Sequence, residues 1–410
     1  LERAHNAIPD SPDTDAAFMA EALALAASTP VRPWPNPPVG ALVVKNGRVV
    51  GRGAHHGPGS PHAETVALAE AGAQASGATL FVTLEPCNHT GRTPPCAPAV
   101  AASGVTRVVV AMRDPNPQVR GGGCRHLRER GLQVSIGVGA AEALELVWPF
   151  AVTNGFERPY VELKTAVSLD GRFAPPAARR QETAPVYLTM TDTRRLVHRR
   201  RRWSDAVIVG EGTARADRPR LDGRLADGQA GVPSNEPVAV CLDTDLSWGG
   251  GLGRIPFLVV AGEGARRAAN LEALTACGGE VIFCRETGGR LDLGAALAAL
   301  HARGLGALLF EGGPELSAAL LVQGLVDRWR QFVAPVVLGD GVTWPVNGQV
   351  NGQVNGPLNG PVIGAADGPR AEIAGAASAF TLTSCACIGR DAMLVHDRTS
   401  FAAKLDQVSR

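Results

Sequence analysis

At 410 residues and 45% hydrophobic content, the chain is long enough for two or three ordinary domains with substantial cores, which excludes a small single-motif protein. Its 40 Lys and Arg against 39 Asp and Glu leave a formal charge of +1, so there is no global case for a nucleic-acid binder and anion recognition must be local. Apolar stretches are broken before transmembrane length, Leu1-Glu2-Arg3-Ala4-His5 leads into no signal region, and eight cysteines are too few for a disulfide scaffold; a soluble cytoplasmic protein is expected.

In chain order, Ala- and Leu-rich residues 15–27 predict a helix with Asp15 near its positive end. The Pro-rich turn at 33–38 leads into a strand over 39–44, Asn46-Gly47 marks a hairpin, and 48–53 is the return strand. His62 and Glu64 precede the Ala-rich run 65–73 and belong to the first turn of a helix. A strand over 79–84 ends at Glu85-Pro86-Cys87, a helical run continues through 97–102, and 107–111 is a further strand. A loop over 113–123, a helix over 124–130, a strand over 133–136 and a helix over 140–150 complete a first domain, with the boundary expected at 153–159.

Beyond it, strands are expected at 160–166, 206–209, 238–242, 257–260, 281–284 and 307–310, and helices at 192–202, 296–303 and from Pro314, which is a second α/β domain with a mixed sheet. Residues 174–185 hold three prolines and suit an active-site border. Four Asn-Gly pairs within 345–362 read as an exposed low-complexity loop, and 376–383 and 392–395 as terminal strands. Cys385 and Cys387 share one face of an extended segment, where strand packing is favoured over a metal motif.

His62, Cys87 and Cys96 offer one imidazole and two thiolates, which leaves a fourth tetrahedral position for water, and Glu64 beside them suits a general acid/base. That combination points to hydrolytic deamination of an amino-substituted ring; the bland alternatives are a structural zinc site or two unrelated buried cysteines. Eight residues separate Cys87 from Cys96, room for a polar loop against a large substrate.

Together, Pro35-Asn36-Pro37-Pro38-Val39-Gly40, His62-Ala63-Glu64, Glu85 through Cys96 and Asp114-Pro115-Asn116-Pro117 resemble the bifunctional bacterial riboflavin-biosynthesis deaminase/reductases. The later blocks 164–171, 204–213 and 310–316 are similar to the reductase half of that family. The resemblance implies an α/β protein with an N-terminal cytidine-deaminase-like α/β/α domain over 1–153 and a C-terminal dihydrofolate-reductase-like α/β domain over 154–410, the latter including the loop at 345–362. It implies Zn2+ and NADPH as cofactors, a small pyrimidine ribosyl phosphate as substrate, and neither nucleic acid nor membrane as partner; a homodimer follows from the resemblance alone. The implied reactions are deamination of 2,5-diamino-6-ribosylamino-4(3H)-pyrimidinone 5′-phosphate and reduction of the ribosyl group to ribityl.

By the same resemblance, Asn36 and His55 contact the pyrimidine, and His89, Arg92, Asp114 and Asn116 position the ribosyl phosphate. Lys164, Asp217 and Glu311 lie near the sugar, Arg201 and Arg224 take the substrate phosphate, and Thr189, Gly210, Thr213, Gly312 and Gly313 border the cofactor. Several positions depart from the family. Trp34 stands where His is common, Pro185 and Tyr187 replace a Ser-x-Trp segment, Arg218 replaces a second acidic residue, and Asp222-Gly223 stand for Thr-Val. Two other readings therefore stay open: a deaminase whose second domain has lost hydride transfer, and a nucleic-acid-editing deaminase using the arginines at 199–202.

Overall fold

A computed structural model describes residues 12–29, 35–90, 93–116, 119–176, 187–224, 236–253, 256–345 and 380–398. Trp34, Arg92, Pro185 and almost all of the Asn-Gly segment lie outside them. The chain divides into two compact units, one within residues 1–157 and the other within 158–402. No helix among the described residues is long and apolar enough to cross a membrane.

In the first unit the elements follow the order α1 (Pro12–Ala27), β1 (Gly40–Lys45), β2 (Arg48–Ala54), α2 (Ala63–Ala71), β3 (Thr79–Val82), α3 (Cys96–Ala102), β4 (Arg107–Val110), α4 (Gly122–Glu129), β5 (Gln133–Ile136) and α5 (Ala140–Phe156). The sheet order is β2-β1-β3-β4-β5, with β1 antiparallel to β2 and β3 and the remaining pairs parallel. Strand residues alternate between faces. Leu42, Val44 and Phe81 pack against Met19, Ala22, Ala143 and Val147 of α1 and α5. Ala41, Val43 and Val82 pack against Ala63, Ala67, Val100 and Leu127 of α2, α3 and α4. Three layers result, as the sequence implies.

Glycine sets the spacing of those layers. A Cβ on Gly40 would lie 2.1 Å from Ala22 O, and Cβ atoms on Gly51 and Gly53 would lie 2.1 Å from Ala67 O and 2.0 Å from Ala63 O. Both helices therefore rest on bare strand backbone. Helix α5 runs on to Phe156, beyond the expected helix end at 150 and into the expected boundary at 153–159, because Val147, Trp148, Ala151 and Val152 continue its buried face beyond Pro149.

The second unit runs β6 (Tyr160–Ser168), α6 (Thr191–Arg202), β7 (Ala206–Gly210), α7 (Glu211–Asp217), β8 (Val238–Leu242), β9 (Phe257–Gly262), α8 (Leu271–Ala276), β10 (Gly279–Cys284), β11 (Glu286–Thr287), β12 (Arg290–Leu291), α9 (Leu293–Ala302), β13 (Ala307–Phe310), α10 (Pro314–Val322), β14 (Arg328–Ala334), β15 (Phe380–Ile388) and β16 (Asp391–Arg398). Nine strands form one sheet in the order β10-β9-β8-β7-β13-β6-β14-β16-β15. The first seven are mutually parallel, and the last two pair antiparallel. Val161, Leu163, Ile208 and Leu308 meet Leu300 and Leu320 of α9 and α10 on one face; Val207, Val209 and Cys241 meet Ala214 and Leu274 of α7 and α8 on the other.

Strand β14 is absent from the expectations, and its composition explains why. Its buried positions include Arg328 and Arg330, which are only 2% and 7% exposed. Arg328 pairs with Asp397 at 2.6 and 2.8 Å, and Arg330 with Glu162 at 3.0 Å. An inward-facing guanidinium reads from sequence as a surface position. Cys385 and Cys387 both lie on edge strand β15 and are exposed, so they do not pack into a core there.

Candidate functional site

His62 is the residue that precedes α2, in extended conformation with φ −72° and ψ 159°, and Glu64 follows as the second helical residue. Cys87 lies beyond β3, and α3 starts on it: Cys96 N–H donates to Cys87 Sγ at 3.3 Å and Ala97 N–H to Cys87 O at 3.0 Å. His62 Nδ1 lies 3.2 Å from Cys96 Sγ and 3.5 Å from Cys87 Sγ, and the three donor atoms all fall within 4.8 Å of one another. Zinc–nitrogen and zinc–sulfur bonds of ordinary length give a tetrahedral N···S edge of about 3.6 Å, so this donor set fits a zinc ion.

Thr93 Oγ1 lies 3.1 Å from His62 Nε2. With Nδ1 turned to the donor cluster, Nε2 carries the proton and donates to that hydroxyl, which fixes the ring. Glu85, only 3% exposed, gathers the opposite wall: its carboxylate accepts Gly121 N–H at 2.8 Å, Cys124 N–H at 2.9 Å and Asp114 N–H at 3.2 Å. A Cβ on Gly123 would meet Pro86 O at 1.8 Å, so the backbone packs directly against the residue before Cys87. Neither Thr93 nor Glu85 is singled out by sequence, since their partners are backbone groups and a ring nitrogen brought near by folding.

Burial pushes the Glu64 carboxyl up to about 7. The hydrogen bond from Cys96, together with His62, draws the Cys87 thiol down to about 4, and that same bond plus burial pushes Cys96 up. His62 is raised, first by its contact with Cys87. Asn36 Nδ2 lies 2.9 Å from His55 Nε2, and the His55 ring meets that of His62 edge-on at 5.1 Å between centroids. Asp114 is buried and pushed up to about 7, chiefly by that burial, and its Oδ1 accepts Asn116 N–H at 2.8 Å. His89 is exposed, and no hydrogen bond among the described residues joins it to the cluster.

In the second unit, Lys164, Thr189, Arg201, Gly210, Thr213, Asp217, Arg224, Glu311, Gly312 and Gly313 all line one cavity of about 1820 Å3. That exceeds the space a single drug-sized ligand takes and suits a dinucleotide beside a substrate. Glycines line its floor: a Cβ on Gly312 would lie 2.8 Å from the Leu316 side chain at Cδ2, whereas one on Gly313 would make only ordinary contact with Thr213 Oγ1 at 3.4 Å. Gly313 precedes α10, with Pro314 in its first turn, so backbone N–H groups face the cavity end of that helix.

Glu311 is the hub of the wall. Arg201 grips it through Nε at 2.7 Å and Nη2 at 3.0 Å, and Lys164 Nζ lies 3.9 Å away. Burial pushes the Glu311 carboxyl up, but Arg201 and then Lys164 outweigh it and hold it at about 2. Lys164 is lowered by burial, against the pull of Glu311. Asp222 accepts Arg201 Nη1 on its carbonyl at 3.2 Å and pairs with Arg224 at 2.6 Å and Arg220 at 2.8 Å through its carboxylate. The arginine run is thus divided: Arg201 faces the cavity, while Arg200 turns away to the buried Glu162 at 2.5 Å.

Comparison with known proteins agrees with this division. The family described as "Cytidine and deoxycytidylate deaminase zinc-binding region" matches residues 12–112, and that described as "RibD C-terminal domain" matches residues 159–356. The riboflavin biosynthesis protein RibD of Aquifex aeolicus is 38% identical over 337 residues, covering 81% of this chain and 90% of its own. That of Escherichia coli is 36% identical over 352 residues, covering 79% and 89%. Among solved structures, a RibD of Acinetobacter baumannii is 31% identical with a TM-score of 0.71, and a diaminohydroxyphosphoribosylaminopyrimidine deaminase/5-amino-6-(5-phosphoribosylamino)uracil reductase of Thermotoga maritima is 29% identical with a TM-score of 0.73; both comparisons cover 94% of this chain and 99% of the other. With a three-donor zinc cluster in one unit, a glycine-floored cavity in the other, and this likeness across both, the chain belongs to the bifunctional RibD family of riboflavin biosynthesis, a zinc-dependent deaminase joined to an NADPH-dependent reductase.

Proposed function

We propose that the first unit deaminates 2,5-diamino-6-ribosylamino-4(3H)-pyrimidinone 5′-phosphate and that the second reduces the ribosyl group of the product to ribityl. The observation that carries the reading is the gathering of His62, Cys87 and Cys96 beside the buried carboxyl of Glu64. Zinc held there supplies a Lewis acid that makes water nucleophilic near neutral pH. Glu64 takes a proton from water as the water oxygen bonds the amino-bearing ring carbon and delivers it to the amino nitrogen, so the carbon–nitrogen bond breaks, ammonia leaves and a ring carbonyl remains. Asn36 and the His55 ring it touches orient the pyrimidine; Asp114 and Asn116, held in one turn, serve the ribosyl phosphate, with His89 and Arg92 as its further contacts.

In the second unit NADPH supplies the hydride that C1′ accepts once the sugar has opened to its imine form. Lys164 is the proton carrier favoured by the geometry: it is half-buried, lowered in pKa and close to Glu311, and its proton reaches the nitrogen as C1′ is reduced. Asp217 borders the same sugar. Arg201 and Arg224 take the phosphate; Arg201 keeps unshared N–H groups beyond those given to Glu311 and Asp222. Thr189 lies on the nicotinamide side, and Gly210, Thr213, Gly312 and Gly313 lie along the diphosphate. A homodimer, from the family resemblance, and a cytoplasmic location, from the interrupted apolar stretches and the cysteine usage, complete the proposal.

The test is an assay of the purified chain on the diamino pyrimidine phosphate with and without NADPH, resolving both products by mass. The expected outcome is ammonia and the deaminated ribosyl compound without NADPH, and the ribityl compound only with it. Ammonia release with no NADPH oxidation, even on authentic second-step substrate, would reduce the reading to a deaminase carrying an inert second unit.

A further inference from the structure

The cavity of the second unit has a far end that the substrate contacts leave unused. In the strand order β8-β7-β13-β6, the end of β8 lies three strand spacings, about 14 Å, from the β6 strand that carries Lys164. There the chain turns through Asp243, Thr244 and Asp245, and the β11–β12 hairpin closes over it, with Leu291 N–H donating to Thr244 Oγ1 at 3.3 Å. The hairpin turns at Gly288 and Gly289, with φ of 60° and 71°, and sets Arg290 on the cavity wall.

The acids around Arg290 have other partners. Asp292 pairs with Arg285 at 2.6 Å and accepts Ala295 N–H at the start of α9. Glu286 accepts Gly264 N–H at 2.8 Å, and Asp243 accepts the N–H groups of Ser247 and Trp248 at 3.1 and 2.9 Å. Among the described residues no carboxylate forms an ion pair with Arg290. Gly210 ends the intervening strand β7, and Gly312–Gly313 follow the end of the intervening strand β13. A dinucleotide with its nicotinamide near Lys164 and Thr189 and its diphosphate across those glycines therefore lays its adenosine ribose at the end of β8.

NADPH differs from NADH by one phosphomonoester on that ribose. Carboxylates at a strand end favour a bare ribose diol, whereas an unshared guanidinium fits a phosphomonoester with two parallel hydrogen bonds. We propose that Arg290 reads the 2′-phosphate and makes this site choose NADPH over NADH, against the opposing charge of Asp243 and Asp245. The inference rests on the use of this cavity by a nicotinamide dinucleotide. Its rival is Arg218, a cavity cation that also forms no ion pair among the described residues but follows the C-terminal end of α7, away from Gly210.

Calorimetric titration of the full-length, zinc-loaded chain with NADP+ and with NAD+ tests it without turnover. Wild type should bind NADP+ more tightly. Arg290→Ala should weaken NADP+ about ten- to a hundredfold and NAD+ by less than about twofold, with Arg290→Lys recovering part of the loss. Ammonia release, which uses the other unit, should stay unchanged in every variant. Equal loss for both dinucleotides, no loss, or transfer of the selective loss to Arg218→Ala would overturn the assignment. A wild type that binds both dinucleotides equally defeats this inference alone, and one that binds neither defeats the reductase reading as well.

Discussion

Thr93 holds Nε2 of the zinc-binding imidazole at 3.1 Å and so decides which nitrogen faces the donor cluster. Thr93→Val keeps the shape and removes the acceptor; zinc affinity should fall about ten- to a hundredfold by chelator competition. Unchanged affinity would mean that the ring is held by packing alone. Glu311 carries the corresponding weight in the reductase, with its carboxyl at about 2 instead of its ordinary 4.5. A carboxyl lowered by folding contributes stability above its ordinary pKa and loses it as pH falls toward the folded value, so the second unit should weaken between pH 4.5 and 2. Glu311→Gln should flatten that acid limb in urea unfolding followed at several pH values. At this scale His62, Glu64, Cys87 and Cys96 were legible because their chemistry is intrinsic to side chains in short segments. Thr93 and Glu85 were not, because each matters only through a partner delivered by another loop.

Helix α2 carries Glu64 and starts directly after His62, and its depth is set where Gly53 meets the Ala63 carbonyl. A methyl group there must lift the start of the helix. Gly53→Ala should cost about 1–3 kcal/mol and reduce zinc binding and ammonia release together. Gly155→Ala, in helix α5 with nothing within 4 Å of its would-be Cβ, is the control and should be neutral or stabilising in the same thermal melts. Most elements were readable from local composition, as in the continuous apolar run of β1 and the Ala- and Leu-rich run of α1. β14 escaped because its core-facing positions hold Arg328 and Arg330, whose carboxylate partners Asp397 and Glu162 lie far away in sequence. The hairpin of β11 and β12 escaped because two residues per strand give no period to detect.

Across the whole molecule, the zinc donors fall in one compact unit and the cavity lining in the other, so the activities should be chemically separable. Removing zinc with a chelator should abolish ammonia release while NADPH oxidation on authentic deaminated substrate stays within about twofold; joint loss would show that the second unit depends on the metal. The two units also differ in how far along the chain their sheets are stitched. The first closes through strands that all lie before residue 137, whereas β6 needs β13 and β14, and β14 in turn needs β16 at Asp391–Arg398. On the ribosome, the deaminase sheet is complete long before the reductase sheet can be. Until Asp397 emerges, Arg328 lacks the carboxylate that grips it in the folded core, and the preceding parallel strands wait with open edges. The reductase half is therefore the part of this enzyme most exposed to misassembly during synthesis and most in need of chaperone protection.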